Sequence, residues 1–118
     1  MVFECDVKVD KSIDHFFEKI KTVWQEIDFI VHSVAFSDKD ELKGEYVETS
    51  RENFLNTLDI SCYSLTAICQ RAKPFFKNSG KILTLSYLGA EIVMPHYNVM
   101  GIAYFIVIIT YGSFLLVQ

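Results

Sequence analysis

Two amphipathic helical patterns bracket an apolar run that has no helical period, and this alternation limits the fold more than any other feature. Over residues 12–26, Ile13, Phe16, Phe17, Ile20, Val23 and Trp24, with Ile27 just beyond, recur at short helical steps with charged residues between them. Such spacing predicts a helix with one buried face, and Ser12 stands where an N-cap is wanted. Phe29–Phe36 is apolar without clean alternation, which predicts a strand covered on both faces, as in a parallel sheet. Residues 37–48 are charged and irregular, hence loop. A second helix is predicted over 50–76, with Thr49-Ser50-Arg51-Glu52 as a capping box. Its apolar stripe is Phe54, Leu58, Cys62, Leu65, Ile68, Ala72 and Phe75, and Pro74 kinks or ends it. Asn78-Ser79-Gly80 reads as a turn and Lys81–Tyr87 as another strand. With Cys5-Asp6-Val7 as the tail of an earlier strand, the order predicts an α/β architecture with parallel strands and right-handed crossovers.

A chain of 118 residues suffices for one small domain. A net charge of −4 gives no support to nucleic-acid binding. The three cysteines, Cys5, Cys62 and Cys69, are odd in number and irregular in spacing, so they read as core residues of a reducing cytoplasm. No Cys or His spacing suggests a metal. The N-terminus lacks a basic start followed by an apolar run, so no signal peptide is expected there. From Ile92 to Gln118 there is no Asp, Glu, Lys or Arg, and that step is the one candidate boundary.

Ligands of a doubly wound sheet sit beyond the carboxyl ends of the strands. Those ends supply Asp6-Val7, Ser33-Val34-Ala35 and Ser86-Tyr87. A tyrosine serves as proton donor more readily when a nearby ammonium favours its phenolate. The stretch Ser86-Tyr87-Leu88-Gly89-Ala90-Glu91, followed by Pro95-His96-Tyr97-Asn98-Val99-Met100-Gly101-Ile102-Ala103, resembles the active-site segment of bacterial NADH-dependent enoyl-acyl-carrier-protein reductases, of the short-chain dehydrogenase/reductase superfamily. Glu4–Val7, His32–Phe36, Glu41–Tyr46 and Asp59–Leu65 extend the resemblance over residues 1–103.

The resemblance implies an incomplete Rossmann-type sheet and the reduction of the trans-2 double bond of enoyl thioesters in fatty-acid biosynthesis. It implies that Asp6 and Val7 contact the adenine of NADH, and that Ser33, Val34 and Ala35 line the cofactor near its ribose and pyrophosphate. Tyr97 would hydrogen-bond the thioester carbonyl and stabilise the enolate, and Tyr87 would line the acyl pocket. Enoyl-acyl carrier protein is the implied partner. Seven positions beyond Tyr97 the family has a lysine; this chain has Tyr104. No glycine-rich loop occurs in the sequence either. The chain is therefore expected to be a truncated, inactive remnant that lacks the central strands, and to be unstable or prone to aggregate.

Simpler readings stand beside these. His32 reads as a satisfied core histidine, His15 as a solvated one, and His96 as a loop residue. Arg71, Lys73 and Lys77 fit a helix C-terminus without any partner. Residues 104–118 are expected to form an apolar tail without family resemblance. Out-of-frame translation ranks ahead of a membrane segment over Val99–Gln118 and of a buried strand over Ile106–Tyr111. Two non-catalytic readings remain: docking of the long helix on an intact reductase subunit, and membrane association through the tail.

Overall fold

In a computed structural model of the chain, residues 1–76 and 80–115 are described, with side chains as far as Thr110. Lys77 and most of the expected turn at 78–80 lie outside the described residues, as does the end of the tail at 116–118.

Helix α1 (Asp10–Val23) buries Ile13, Phe17 and Ile20, one stripe at helical spacing. Asp10 in its first turn and Lys21 in its last suit the helix dipole. Ser12 does not cap it. Its hydroxyl accepts from the Asp6 backbone N–H at 2.8 Å, and the helix starts after Val9 with no side-chain cap.

Strands β1 (Phe29–His32) and β2 (Lys81–Thr84) pair in parallel, with Val31 opposite Leu83 and His32 opposite Thr84. The order β1–β2 makes a two-stranded sheet. Ile30 packs towards α1, Ile82 towards the second core, and His32 is 3% exposed. The opposite face is open: Phe29 is 63%, Val31 48% and Leu83 53% exposed. The expectation of two covered faces is thus corrected, because the helices gather on one side only. β1 also stops at His32 rather than running to Phe36. The segment up to Val7 is not a strand. Phe3 and Cys5 instead lie against the α1 core, where no strand among the described residues offers them a ladder.

The long helical segment comes in pieces: α2 (Arg51–Leu58), a π-helical turn (Asp59–Tyr63), α3 (Ser64–Ala72) and a 3₁₀ turn (Lys73–Phe75). Pro74 sits in that last turn and the helix ends at Phe75, as its missing N–H requires. The cap is Ser50, whose hydroxyl accepts from Asn53 N–H at 3.1 Å. The reciprocal carboxylate is Glu41, bound to Ser50 N and Oγ at 2.8 and 2.7 Å, so the expected Thr49–Glu52 box is replaced by a long-range pair. Thr49 Oγ1 is buried without a hydrogen-bond partner.

Early in this segment the fully buried face is polar. Asn53, Thr57, Ser61 and Ser64 form it, while Phe54 and Leu58 of the expected stripe are only half-buried. Further along, α3 becomes the spine of the molecule. Ala67, Ala72 and Phe75 close on Ile13, Phe17 and Ile20 of α1. Cys62, Leu65 and Cys69 close on Ala103 and Val107 of the last helix, α4 (Asn98–Leu115). Leu65 is fully buried, which contributes about 1.5–3 kcal/mol. All three cysteines are free, and burial pushes the Cys62 and Cys69 thiols up to about 11.

α4 continues without a break through position 104. The strand weighed as a lesser alternative over Ile106–Tyr111 is a helix, because the apolar run follows directly from Asn98–Ala103 and holds no breaker before Gly112. Among the described residues no helix is long and apolar enough to cross a membrane.

Candidate active site

Because β1 and β2 are parallel, their carboxyl ends lie at the same edge of the sheet. Ser33, Val34 and Ala35 follow β1 there, Ser33 and Ala35 exposed and Val34 half-buried. Tyr87 comes three residues after β2, then a 3₁₀ turn at Leu88–Ala90. α4 brings Tyr97 back over that turn. The Tyr97 ring centroid lies 4.8 Å from that of Tyr87 and 6.1 Å from that of Tyr104, parallel to the latter within 8°.

Two glycines permit this arrangement. A methyl group on Gly89 would collide with the Tyr97 ring, 2.7 Å from Cε1. One on Gly101 would come within 2.7 Å of the Gly89 carbonyl oxygen. Tyr97 is also flanked by two left-handed residues, His96 (φ 58°) and Asn98 (φ 38°), an uncommon conformation for side chains other than glycine. The Asn98 amide donates to the carbonyls of Glu41 and Gly44, both at 3.1 Å.

A cavity of about 480 Å³ opens beside this cluster. It is lined mainly by apolar atoms, with Tyr46, Gly89, Met94, Tyr97, Asn98 and Ile102 in its wall. Tyr87 is outside that lining, its ring packed on that of Tyr97. Burial, Tyr104 and Tyr87 push the Tyr97 phenol up to about 12, and part of the effect is a hydrogen bond with Tyr104. The phenol keeps its proton across the neutral range. Its one proton is engaged by Tyr104, so donating to an acceptor in the cavity means giving up that bond, and its conversion to phenolate is disfavoured.

Asp6 is held elsewhere. Its carboxylate accepts from Lys8 N–H at 3.0 Å and its own N–H is engaged by Ser12. Among the described residues no cluster of His, Cys, Asp and Glu could hold a metal ion.

Parallel strands ending beside a tyrosine cluster place the chain in the Rossmann-type α/β class. Its structure superposes on that of an enoyl-(acyl-carrier-protein) reductase from Anaplasma phagocytophilum in complex with NAD, with a TM-score of 0.92, 50% identity, and coverage of 95% of this chain and 43% of that one. It is 55% identical over 103 residues to enoyl-[acyl-carrier-protein] reductase [NADH] 1 of Rhizobium meliloti, covering 87% of this chain and 38% of the relative. It is 54% identical over 102 residues to the reductase [NADH] FabI of Rickettsia conorii, covering 86% and 39%. The family described as Enoyl-(Acyl carrier protein) reductase matches residues 1–110. The chain belongs to that family. It spans about two fifths of the length of these curated relatives.

The family implies a dinucleotide cofactor, and the residues present do not complete a site for one. Ser33 and Ala35 are accessible at the strand end, but Asp6 is turned to local partners and position 104 carries a phenol in place of a cation. No step is derived through that group.

Sequence reasoning singled out the two tyrosines that the fold brings together. It missed Asn98, the paired glycines 89 and 101, and the buried ladder Asn53, Thr57, Ser61 and Ser64. The ladder had a signal, small polar residues at steps of four, four and three. It holds the chain beyond β1: Phe36 N–H donates to Ser61 Oγ at 3.0 Å and Asp38 N–H to Asn53 Oδ1 at 2.9 Å.

Proposed function

We propose that this chain carries the substrate-carbonyl side of an NADH-dependent enoyl-acyl-carrier-protein reductase site, and that it does not itself turn over. The reading assigns Tyr97 to the thioester carbonyl of an enoyl-acyl carrier protein and Tyr87 to the acyl side. Ser33, Val34, Ala35, Asp6 and Val7 belong to the NADH side, and the setting is cytoplasmic fatty-acid synthesis. The observation that carries it is the Tyr97 phenol, donor-capable, in the wall of an apolar cavity, with Tyr104 stacked where the family has a lysine. Loss of that cation removes electrostatic support for the developing oxyanion, a term typically worth several kcal/mol of barrier. Incubated with NADH and an enoyl thioester, the purified chain is expected to oxidise no more NADH than a denatured control. Turnover above that control sinks the proposal.

In the same reading, residues 1–103 are the middle portion of a Rossmann-type domain and 104–118 an out-of-frame tail. Identity with the Rhizobium relative over 103 residues supports this, while the family match reaching residue 110 weighs against a sharp limit at 103. A lysine codon seven positions after Tyr97 in another reading frame of the gene is the expected finding. If neither other frame supplies one, the tail belongs to the protein.

Docking on an intact reductase subunit is the second reading. The open sheet face at Phe29, Val31 and Leu83 favours it. Co-purification with a full-length reductase tests it, and its absence at matched concentrations rejects it.

A further inference from the structure

Asn98 has no part in the roles assigned so far, yet it lines the cavity beside Tyr97 and binds the segment that leads to Tyr46. Its left-handed backbone (φ 38°) redirects the chain directly after Tyr97. Its side-chain amide donates both protons to another segment, at 3.1 Å to Glu41 O and 3.1 Å to Gly44 O. Two residues beyond Gly44 stands Tyr46, which lines the cavity together with Tyr97. The clamped segment is anchored a second time, since the Glu41 carboxylate accepts from Ser50 N and Oγ at the cap of α2. One amide therefore ties the Tyr97 turn to the Tyr46 segment, and through Glu41 to α2.

We propose that Asn98 is a positioning residue: by holding the Glu41 and Gly44 carbonyls it fixes Tyr97 against Gly89 and holds the Tyr46 segment at the cavity. The proposal rests on the reading of Tyr97 given above. The dihedral alone does not account for the residue. Glycine adopts a positive φ at no steric cost and aspartate tolerates it, but neither donates two side-chain N–H groups. The amide is the feature that only asparagine supplies here with that reach.

The test compares Asn98→Asp, which keeps shape and dihedral preference, with Asn98→Gly, which keeps the dihedral. In each, the ionisation of Tyr97 is followed by NMR of ring-labelled tyrosine, with Tyr97→Phe assigning the signal. Loss of the clamp is expected to let the ring away from Gly89 and back towards solvent. In the glycine variant its ionisation should then begin at lower pH, by on the order of one unit; in the aspartate variant the new carboxylate opposes that shift, so exchange is the readout there. Backbone amides of 41–46 should exchange faster in both. No change in either variant overturns the proposal. Faster exchange in the glycine variant alone also overturns it, because shape rather than N–H donation would then be the cause. If neither variant folds, the unsubstituted protein decides. Slow exchange of the Asn98 side-chain amide is expected, and exchange as fast as that of an exposed asparagine overturns the clamp. NADH oxidation by the unsubstituted chain would defeat the proposed function without moving any of these readouts.

Discussion

His32 Nε2 lies 2.8 Å from Ser64 Oγ in the interior, joining the last residue of β1 to the first of α3. Ser64 donates its own proton to the Ile60 carbonyl at 2.6 Å, so Nε2–H is the donor and the ring needs no positive charge. Burial lowers the His32 pKa from its ordinary 6.5. Between that value and the folded one, the unfolded chain binds the extra proton. Stability is therefore complete above about pH 6.5 and is lost as the pH falls from there through the folded value. Urea midpoints should drop as the pH falls below about 6.5, and His32→Gln should flatten that slope. An equal slope in the variant would remove His32 as the cause. Glu41 acts in a lower window. Its hydrogen bonds from Ser50 lower its pKa from 4.5, so its contribution is present above that value and lost below it.

Gly89 and Gly101 are expected to be intolerant of one added carbon. In Gly101→Ala the new methyl meets the Gly89 carbonyl, a backbone atom that cannot swing aside. The expected cost is about 1–3 kcal/mol, read as a lower melting temperature. In Gly89→Ala the obstacle is the Tyr97 ring, which can move. Its main effect should be a changed near-ultraviolet circular dichroism signal from the Tyr87–Tyr97 pair. An unchanged signal would place the rings apart in solution.

Arg71 bridges α3 to α1 through Asp10 at 2.9 Å and Asp14 at 2.7 Å. Both carboxylates are more than half exposed, so solvent screens the pairs. Arg71→Ala should cost under about 1 kcal/mol and less in high salt. Leu65→Ala removes fully buried apolar volume, at about 2–5 kcal/mol. Chemical denaturation of both variants tests the order, and a costlier arginine would show that the ion pairs rather than the packing join these helices.

The open sheet face should govern association. Val31 and Leu83 are register partners, half exposed, on a sheet whose two edges are unpaired among the described residues. Such surfaces pair with other chains. The chain is expected to associate at micromolar concentration, by an order-of-magnitude expectation for exposed strands, and Val31→Lys should reduce this in light scattering. A soluble monomer with a cooperative thermal transition would contradict the expectation.

The helices and the two-tyrosine site were legible because each has a local signature. Ile13, Phe17 and Ile20 announce α1 by period, and the stretch around Tyr97 announces itself by resemblance. What escaped was set by partners distant in sequence. Ser50 donates to Glu41, and Asn98 binds Glu41 and Gly44. The strand at Cys5–Val7 and the second cover of β1 were read from the local pattern, but a ladder and a covered face each need a neighbour, which local pattern does not supply. Position 104 is instructive in the other direction. The sequence marks it as a missing cation, whereas the fold makes it a third ring on Tyr97.

The π-helical turn at Asp59–Tyr63 gives the long helical segment a built-in phase offset. Upstream, Asn53 and Thr57 are set for the chain beyond β1; downstream, Leu65, Cys69 and Ala72 are set for the two cores. An α-helix advances about 100° per residue. A π turn closes over one residue more than an α turn, so deleting one residue within 59–63 would let the segment run as continuous α-helix and keep Ser64 towards His32 and Leu65 towards Ala103, whereas deleting one from α2 would swing every downstream side chain by that angle. The π turn is therefore the place in this segment where the loss of one residue should be tolerated best.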